Sequence, residues 1–251
     1  MDCPVSSDLT SVSSLHYWTP TRRRDGLVIM LTMVTGSVDA IGLTRLGGVF
    51  TSVMTGNMVF LGISAAKHDA SVALHTGVAF IGYVIGSLVG ARIAGHAGED
   101  EHLWPRPIVI ALGFELAVLG VFAVWWEIVG GVPTNSATYA MLGLNAAALG
   151  IQSAAVLRFG ISGLSTTYLT GTLTQLIASL SRRRNPIQGR SALLLLALIV
   201  GAGLGAFVAL HARTVAPLVP IVILAFVVTV AEISFHRSVK HAPPVSSGAI
   251  T

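Results

Sequence analysis

Charged residues are scarce in this sequence, and that scarcity excludes most soluble folds. Only 10% of the 251 residues are charged, whereas 53% are hydrophobic, and the mean hydropathy is +0.78. A soluble domain carries roughly a quarter charged residues, because they cover its water-facing surface. The 15 Lys and Arg residues stand in short clusters between apolar runs rather than along one basic face with aromatic residues. We therefore expect a lipid bilayer, and no nucleic acid, as the surroundings of this chain.

Cysteine is nearly absent as well. The single Cys3 lies in the N-terminal tail, which excludes a disulfide framework or a cysteine-based metal site within one chain. The histidines show no metal-ligand spacing, and no glycine-rich loop ending in lysine is available to hold the phosphates of ATP. We expect no metal and no cofactor.

Long apolar runs are what the sequence does contain. A membrane-spanning helix needs about 20 mostly apolar residues. The runs that meet this requirement are Leu27–Leu46, Val72–Ala94, Pro107–Val129, Ala137–Leu157, Ser191–His211 and Pro217–Phe235. Two weaker segments, Phe50–Ala66 and Ile161–Leu180, are interrupted by Thr, Ser and Gly.

These runs predict an all-α integral membrane protein with six full transmembrane helices and two Thr/Gly-interrupted segments, or eight spans if both segments also cross. Residues 1–25 and 238–251 are polar and are expected to be disordered tails. Residues 26–237 then form a single transmembrane domain.

The two interrupted segments are related by an internal repeat. A gapless shift of 115 residues, the difference between 55 and 170, brings the pair Thr55–Gly56 onto Thr170–Gly171. The same register aligns Gly86 with Gly201 and Gly90 with Gly205. One register that matches both features indicates an ancestral duplication, with halves at about 26–130 and 137–237.

Glycines recur at four-residue spacing in two of the long runs. In the first run they are Gly82, Gly86 and Gly90, and in the second Gly201 and Gly205. Small residues at this spacing let helix backbones approach closely. We predict a packing role for them, with these two helices crossing each other between the halves.

The distribution of positive residues favours six spans. With a cytoplasmic N-terminus and six spans, only three of the Lys and Arg residues lie outside, Arg45, Lys67 and Arg213, whereas eight spans would place about five there. Six spans make the halves inverted relative to each other, and eight would make them parallel. Both termini are expected in the cytoplasm.

Two sets of motifs carry a resemblance to a known family. The first half reads Gly36-Ser37-Val38-Asp39-Ala40 and then Met54-Thr55-Gly56-Asn57. The second reads Gly150-Ile151-Gln152 and then Thr166-Thr167-Tyr168-Leu169-Thr170-Gly171-Thr172. Together these motifs resemble the YoaK family of bacterial membrane proteins over nearly the whole chain between the tails. The resemblance implies a protein of the bacterial cytoplasmic membrane with about six spans, and it supplies no catalytic residues.

Two carboxyl groups lie inside the long runs. A charge near the centre of a membrane helix costs roughly 2.5–3.5 kcal/mol on insertion scales. Asp39 shares a helical face with Thr32, Thr35 and Gly36, so that face should point into the bundle. Glu115 lies about 12 Å into its run at 1.5 Å per residue. Each carboxyl is either an ion- or proton-binding group or a structural partner, and for Asp39 that partner would be Gln152 or Asn145.

After the two carboxyl groups, the Thr/Gly segments are the second feature that indicates a function. Short, Gly-interrupted apolar segments at matching places in two halves are typical of broken helices around a central site. Their threonines and Asn57 can supply oxygens to a cation or hydrogen bonds to a polar solute. The alternative is that both segments are ordinary, closely packed helices. Asn145 and Gln152 lie two turns apart on one face and either join helices or line the site.

These features lead to a hypothesis and two alternatives. The hypothesis is a small secondary transporter or channel-like permease for a small polar solute or cation, not an enzyme, with homodimerisation as a further prediction. The two Thr-Gly segments would meet between the halves near the middle of the bilayer. Its site residues are Asp39, Thr55, Gly56, Asn57, Glu115, Gln152, Thr170, Gly171 and Thr172.

The first alternative is a non-transporting scaffold or accessory subunit, in which every polar group serves packing. The second is an intramembrane serine hydrolase with Ser162 in a Gly-Ile-Ser-Gly string and His211 as its base. A serine nucleophile needs a histidine within hydrogen-bond reach.

Overall fold

Helices account for nearly all of the described chain. The computed structural model describes residues 11–95, 105–158, 169–180 and 186–240. In chain order the helices within these ranges are α1 (Ser11–Arg45), α2 (Met54–Lys67), α3 (Ala70–Ala94), α4 (Arg106–Ile128), α5 (Asn135–Leu157), α6 (Leu169–Leu180), α7 (Pro186–His211) and α8 (Leu218–Lys240).

Six of these helices are long and apolar enough to cross a membrane. They are α1 from Arg23, α3, α4, α5, α7 and α8. Helix α2 has 14 residues, which gives it a length of roughly 21 Å at 1.5 Å per residue. It falls short of the hydrocarbon core, which is about 30 Å thick. Helix α6 is described over 12 residues. The predicted class, an all-α membrane protein with six full spans and two short segments, is confirmed.

The tails differ from the prediction. Helix α1 begins at Ser11, so residues 11–25 are helical where the sequence predicts disorder. Helix α8 likewise continues to Lys240. Adding residues to a helix that has already nucleated fixes only one residue per hydrogen bond, so a polar segment can extend a membrane helix. The remaining parts of both tails lie outside the described residues.

Two helix pairs pack backbone to backbone through glycine. Helix α3 packs on α5 and α7 packs on α1. A Cβ atom added at Gly82 would lie 2.5 Å from the carbonyl oxygen of Gly143, and one added at Gly205 would lie 2.6 Å from that of Ser37. Only glycine permits such an approach.

These glycines therefore pack against different helices from the ones expected. Helices α3 and α7 do not cross each other through these residues; Gly86 and Gly90 face α5, and Gly201 faces α1. The partner helices carry small residues of their own, Gly150 and Gly36, which meet the backbones of α3 and α7. Those two glycines stand outside the four-residue spacing, which explains the wrong partner assignment.

The other helices complete the bundle around these two pairs. Helix α4 packs against α5 and α8, α8 packs against α1, α2 lies on α3, and α6 lies on α7. The internal repeat stays a prediction.

Hydrogen bonds at the helix ends identify the two faces of the bundle. The Arg45 guanidinium at the end of α1 donates to the carbonyl oxygen of Ala209 on α7, with N–O distances of 2.6 and 2.9 Å. The Arg158 guanidinium at the end of α5 donates to the carbonyl oxygen of Ala94, the last residue of α3. We call these the Arg45 face and the Arg158 face. Because α4 and α5 are consecutive antiparallel helices, α4 begins at the Arg158 face.

Candidate functional site

The Asp39 carboxylate holds a loop that folds back into the bundle. Residues 46–53 join α1 to α2, and Thr51 and Ser52 reach Asp39 six residues before the end of α1. Asp39 Oδ1 accepts from the backbone N–H and the hydroxyl of Thr51, each at 2.7 Å, and from the Ser52 N–H at 2.9 Å. Oδ2 accepts from the Ser52 hydroxyl. Asp39 is thus bonded to this loop rather than to Gln152 or Asn145, the expected partners.

Asn57 holds the same loop from the other side. Its Oδ1 accepts from the Phe50 N–H at 3.1 Å and its Nδ2 donates to the Phe50 carbonyl at 2.7 Å. The loop leaves α1 through Gly47 and Gly48, whose φ angles of 97° and 73° suit glycine. Non-helical backbone at membrane depth must find partners within the protein. Asp39 and Asn57 supply them, so the first Thr/Gly segment is a re-entrant loop followed by a short helix.

Among the described threonines of the two segments, those of the Thr-Gly pairs are exposed, whereas Thr51 and Thr172 are buried. Thr55 and Thr170 are exposed, Gly171 is exposed with open space around it, and Thr172 is buried. Gly56 is half-buried against Phe50. Since α2 packs on α3 and α6 on α7, the expected meeting of the two segments between the halves is not seen among the described residues. Ser162 lies outside those residues.

Glu115 is the most unusual polar side chain in the bundle. It is 0% exposed, and neither carboxyl oxygen has a hydrogen-bond partner within the described ranges. It lies nine residues into α4, which is roughly 14 Å from the Arg158 face at 1.5 Å per residue. Leu112 and Leu119, one turn before and one turn after it, are buried in the larger hydrophobic cluster.

Three polar residues of α5 are also buried. Asn145 and Gln152 are 0% exposed, and Ser153 is also buried. Gln152 Nε2 donates to the Leu31 carbonyl at 3.2 Å and to the Thr35 hydroxyl oxygen at 2.7 Å, which ties α5 to α1. Both amide atoms of Asn145, the Oε1 atom of Gln152 and the hydroxyl of Ser153 have no partner in the described chain.

Glu115 and the α5 residues lie in the interior of two helices that pack against each other, α4 and α5. Asn145 is one turn from Ala148 and Leu149 of the larger hydrophobic cluster and one turn from Met141 and Leu142 of the smaller one. Asn145 lies 12 residues and Gln152 lies five residues before the end of α5, or roughly 18 Å and 8 Å from the Arg158 face. The depth of Glu115 falls between them. We call Glu115, Asn145, Gln152 and Ser153 the core polar cluster.

The sequence indicated part of this arrangement and missed part of it. Glu115, Asn145 and Gln152 were recognisable as polar residues inside apolar runs. Thr51 and Ser52 as hydrogen-bond partners of Asp39 were not, although the 115-residue shift of the repeat brings Thr51 onto Thr166. Ser153 carried no signal beyond its position beside Gln152. In the parts of the chain that are described, no group of three or more His, Cys, Asp or Glu side chains could hold a metal ion.

Comparison with known proteins places the chain in a family. A family described as "Protein of unknown function (DUF1275)" matches residues 27–231. The chain is similar to the UPF0700 transmembrane protein YoaK of Bacillus subtilis (strain 168), with 36% identity over 160 residues, which is 64% of this chain and 68% of that protein. No solved structure matches the chain.

Proposed function

This chain belongs to the DUF1275 family of YoaK-type transmembrane proteins, and from that premise we propose that it is a small permease. It would act as a secondary transporter or a channel-like pathway for a small polar solute or ion, without enzyme activity. The pathway would pass the core polar cluster between α1, α4 and α5.

The buried carboxyl group of Glu115, which has no hydrogen-bond partner among the described residues, is the observation that supports this proposal. A carboxyl group at the centre of a membrane helix costs roughly 2.5–3.5 kcal/mol on insertion scales, and a buried polar group without a partner adds to that cost. Glu115 has no hydrogen-bond partner among the described residues, so packing gives no reason for its presence. A solute or ion that enters the bundle would supply the missing partner.

Asp39 and Asn57 have a different part in this proposal. All four hydrogen bonds of Asp39 go to Thr51 and Ser52, and the Asn57 amide is bonded to Phe50. They are positioning residues that fix the re-entrant loop at the Arg45 face. The substrate- or ion-binding role expected for Asp39 therefore moves to Glu115.

A membrane scaffold is the second candidate, and the bonding of Asp39 favours it. The hydrogen bonds of Asp39 stabilise the fold. The other buried polar groups could also have a purely structural role. The scaffold hypothesis differs in two consequences, since it assigns no flux to the protein and no functional effect to Glu115.

The expected setting of the permease is the bacterial cytoplasmic membrane. Arg24 and Arg190 on the side where α1 begins form ion pairs with Asp25, and Arg106 and Arg158 lie on that same face. Such an excess of positive residues supports cytoplasmic termini. A homodimer stays a prediction, as does the hydrolase alternative, whose base His211 is exposed and has its Nδ1 2.9 Å from the Phe207 carbonyl.

Flux measurements on purified protein in liposomes test the permease against the scaffold. We would compare the native chain, Glu115→Gln and Glu127→Gln for uptake of small polar solutes and of ions. Glu127 is an exposed carboxyl at the end of the same helix, which makes it the matched control. Flux that Glu115→Gln abolishes and Glu127→Gln preserves supports the proposal. Flux equal to that of protein-free liposomes for every solute and ion supports the scaffold.

A further inference from the structure

The bundle divides into two units that each contain helices from both halves of the chain. We call α1, α6, α7 and α8 the first unit, and α2, α3, α4 and α5 the second unit. In the first unit α7 and α8 pack on α1, and α6 lies on α7; in the second unit α3 and α4 pack on α5, and α2 lies on α3. Each helix of one unit therefore has a counterpart with matching neighbours in the other. The units meet where α1 contacts α5 and where α4 contacts α8, and we call this the unit interface.

The glycine contacts of the two units match residue by residue. A Cβ atom at Gly36 of α1 would collide with the Leu198 carbonyl of α7, and one at Gly150 of α5 would collide with the Tyr83 carbonyl of α3. The two glycines are 114 residues apart (150 − 36) and the two carbonyls 115 (198 − 83). The same offsets relate two further contacts of each unit: Gly201 with Met33 to Gly86 with Ala147, and Gly205 with Ser37 to Gly90 with Ile151.

The two units are turned over relative to each other. Helix α1 ends at the Arg45 face, whereas its counterpart α5 ends at the Arg158 face. The final arginines close the two helix pairs in the same way, since Arg45 bonds to Ala209 of α7 and Arg158 bonds to Ala94 of α3. In inverted units of this kind, an exchange of conformation between the units turns an interface that is open at one face into one that is open at the other.

Hydrogen bonds cross the unit interface toward both faces. Toward the Arg45 face, Trp126 Nε1 near the end of α4 donates to the carbonyl oxygen of Arg213, in the turn between α7 and α8, at 2.8 Å. We call this the tryptophan contact. Toward the Arg158 face, Gln152 Nε2 of α5 donates to the Thr35 hydroxyl oxygen of α1 at 2.7 Å. We call this the glutamine contact.

Apolar side chains fill the unit interface between these two contacts. Leu119 of α4 and Val227 of α8 are fully buried in the larger hydrophobic cluster, which contains residues of both units. Attraction between apolar surfaces has no preferred direction, so the helices can tilt against each other without losing a specific bond. The tryptophan and glutamine contacts are directional, and each is broken when the units separate at its face.

We propose that the two units rotate against each other about the middle of the unit interface, which then opens at the Arg45 face and at the Arg158 face in turn. The tryptophan contact closes the first face and the glutamine contact closes the second, so the structure is the state that is closed at both. This inference rests on the proposed permease and supplies the motion that gives its pathway access to one side of the membrane at a time.

Distances between two spin labels on the full-length protein in liposomes test this motion without a transport assay. The labels are attached to cysteines in a chain that carries Cys3→Ala. Ile128→Cys with Leu218→Cys spans the unit interface at the Arg45 face, and Arg106→Cys with Ile233→Cys spans it at the Arg158 face. All four positions lie on α4 or α8 and are exposed. We expect a short and a long distance for each pair.

A pair within one unit is the control. Leu43→Cys with Leu210→Cys joins exposed positions of α1 and α7 and should give one distance. Trp126→Phe keeps an aromatic ring without the N–H donor, so the long distance should gain population at the Arg45 face and lose it at the Arg158 face. The expected change is roughly two- to tenfold, as for the loss of one hydrogen bond. Gln152→Met, which removes the glutamine contact, should have the opposite effect.

Two results would overturn the rotation. One is a single distance for both interface pairs in the native chain and in every variant that folds. The other is a longer distance at both faces together, because rotation about the middle of the interface opens one face as it closes the other. The native pairs and Gln152→Met still decide the matter if Trp126→Phe fails to fold.

The outcomes for the rotation and for the permease can be separated. Opposite changes at the two faces, with no flux in liposomes for any solute or ion, would keep the rotation and reject the permease. Flux through a protein whose interface pairs each show one unchanging distance would keep the permease and reject the rotation.

Discussion

The carboxylate of Asp39 and the residue Thr51 are joined by two hydrogen bonds of 2.7 Å each, one from the backbone N–H and one from the hydroxyl. Glu115, the other carboxyl inside the bundle, has no bond of this kind to any described residue. Two acidic side chains that the sequence could not tell apart therefore have opposite surroundings. Their removal should have opposite effects on stability.

Asp39→Ala should destabilise the protein strongly. The substitution leaves the backbone N–H groups of Thr51 and Ser52 without their acceptor, and each buried unsatisfied group costs about 1–3 kcal/mol. Thermal unfolding in detergent, followed by the loss of helical circular dichroism, measures the change. Asp39→Asn is the matched variant with a smaller expected loss, because its amide oxygen still accepts from both N–H groups. Equal melting temperatures for the native chain and Asp39→Ala would contradict the anchoring role.

Glu115→Met should stabilise the protein. Methionine has a similar shape and removes a buried polar group that has no partner in the described structure, which gains on the order of 1–3 kcal/mol. The same substitution should abolish flux, as expected where a functional residue is a cost to stability. A loss of stability as large as that of Asp39→Ala would show that packing requires the Glu115 carboxyl.

Hydropathy sufficed to predict the six crossing helices, because span length and apolarity are local properties of the chain. The face containing Thr35 and Asp39 was correctly predicted to point inward, and both side chains are buried. Gln152 of α5 bonds to α1 one turn away, at Thr35, whereas the bond expected between Gln152 and Asp39 is absent from the described structure. The exact pairing depends on side-chain reach, which a helical face does not specify.

The residues of the re-entrant loop that contact the bundle could not be predicted from the sequence. Matching Thr-Gly pairs indicated interrupted segments, but Thr55 and Thr170 are exposed while Thr51 and Ser52 hold the contact with Asp39. A short helix that packs on one neighbour presents its other side outward, and the choice of side is made by tertiary packing. Neither repeat register nor composition contains that information.

Gly205→Ala should weaken the α1–α7 pair. The added methyl would meet the carbonyl oxygen of Ser37 at 2.6 Å, and overpacking against a backbone typically costs 1–3 kcal/mol. Gly203, two residues away on the same helix, is exposed with no atom within 4 Å of an added Cβ. Gly203→Ala is therefore the control, and it should gain roughly 0.5–1 kcal/mol because alanine favours the helix. Equal melting temperatures for the two variants would contradict the close contact.

Two exposed basic residues test the orientation of the bundle. Lys67 ends α2 on the Arg45 face and Arg106 begins α4 on the Arg158 face, with the single span α3 between them. In a chain whose Cys3 is replaced by alanine, we would introduce Lys67→Cys or Arg106→Cys and label intact cells with a membrane-impermeant thiol reagent. Cytoplasmic termini predict labelling at position 67 in intact cells and at position 106 only after permeabilisation. The reverse pattern would place the termini outside, and labelling of both positions in intact cells would show that α3 does not cross.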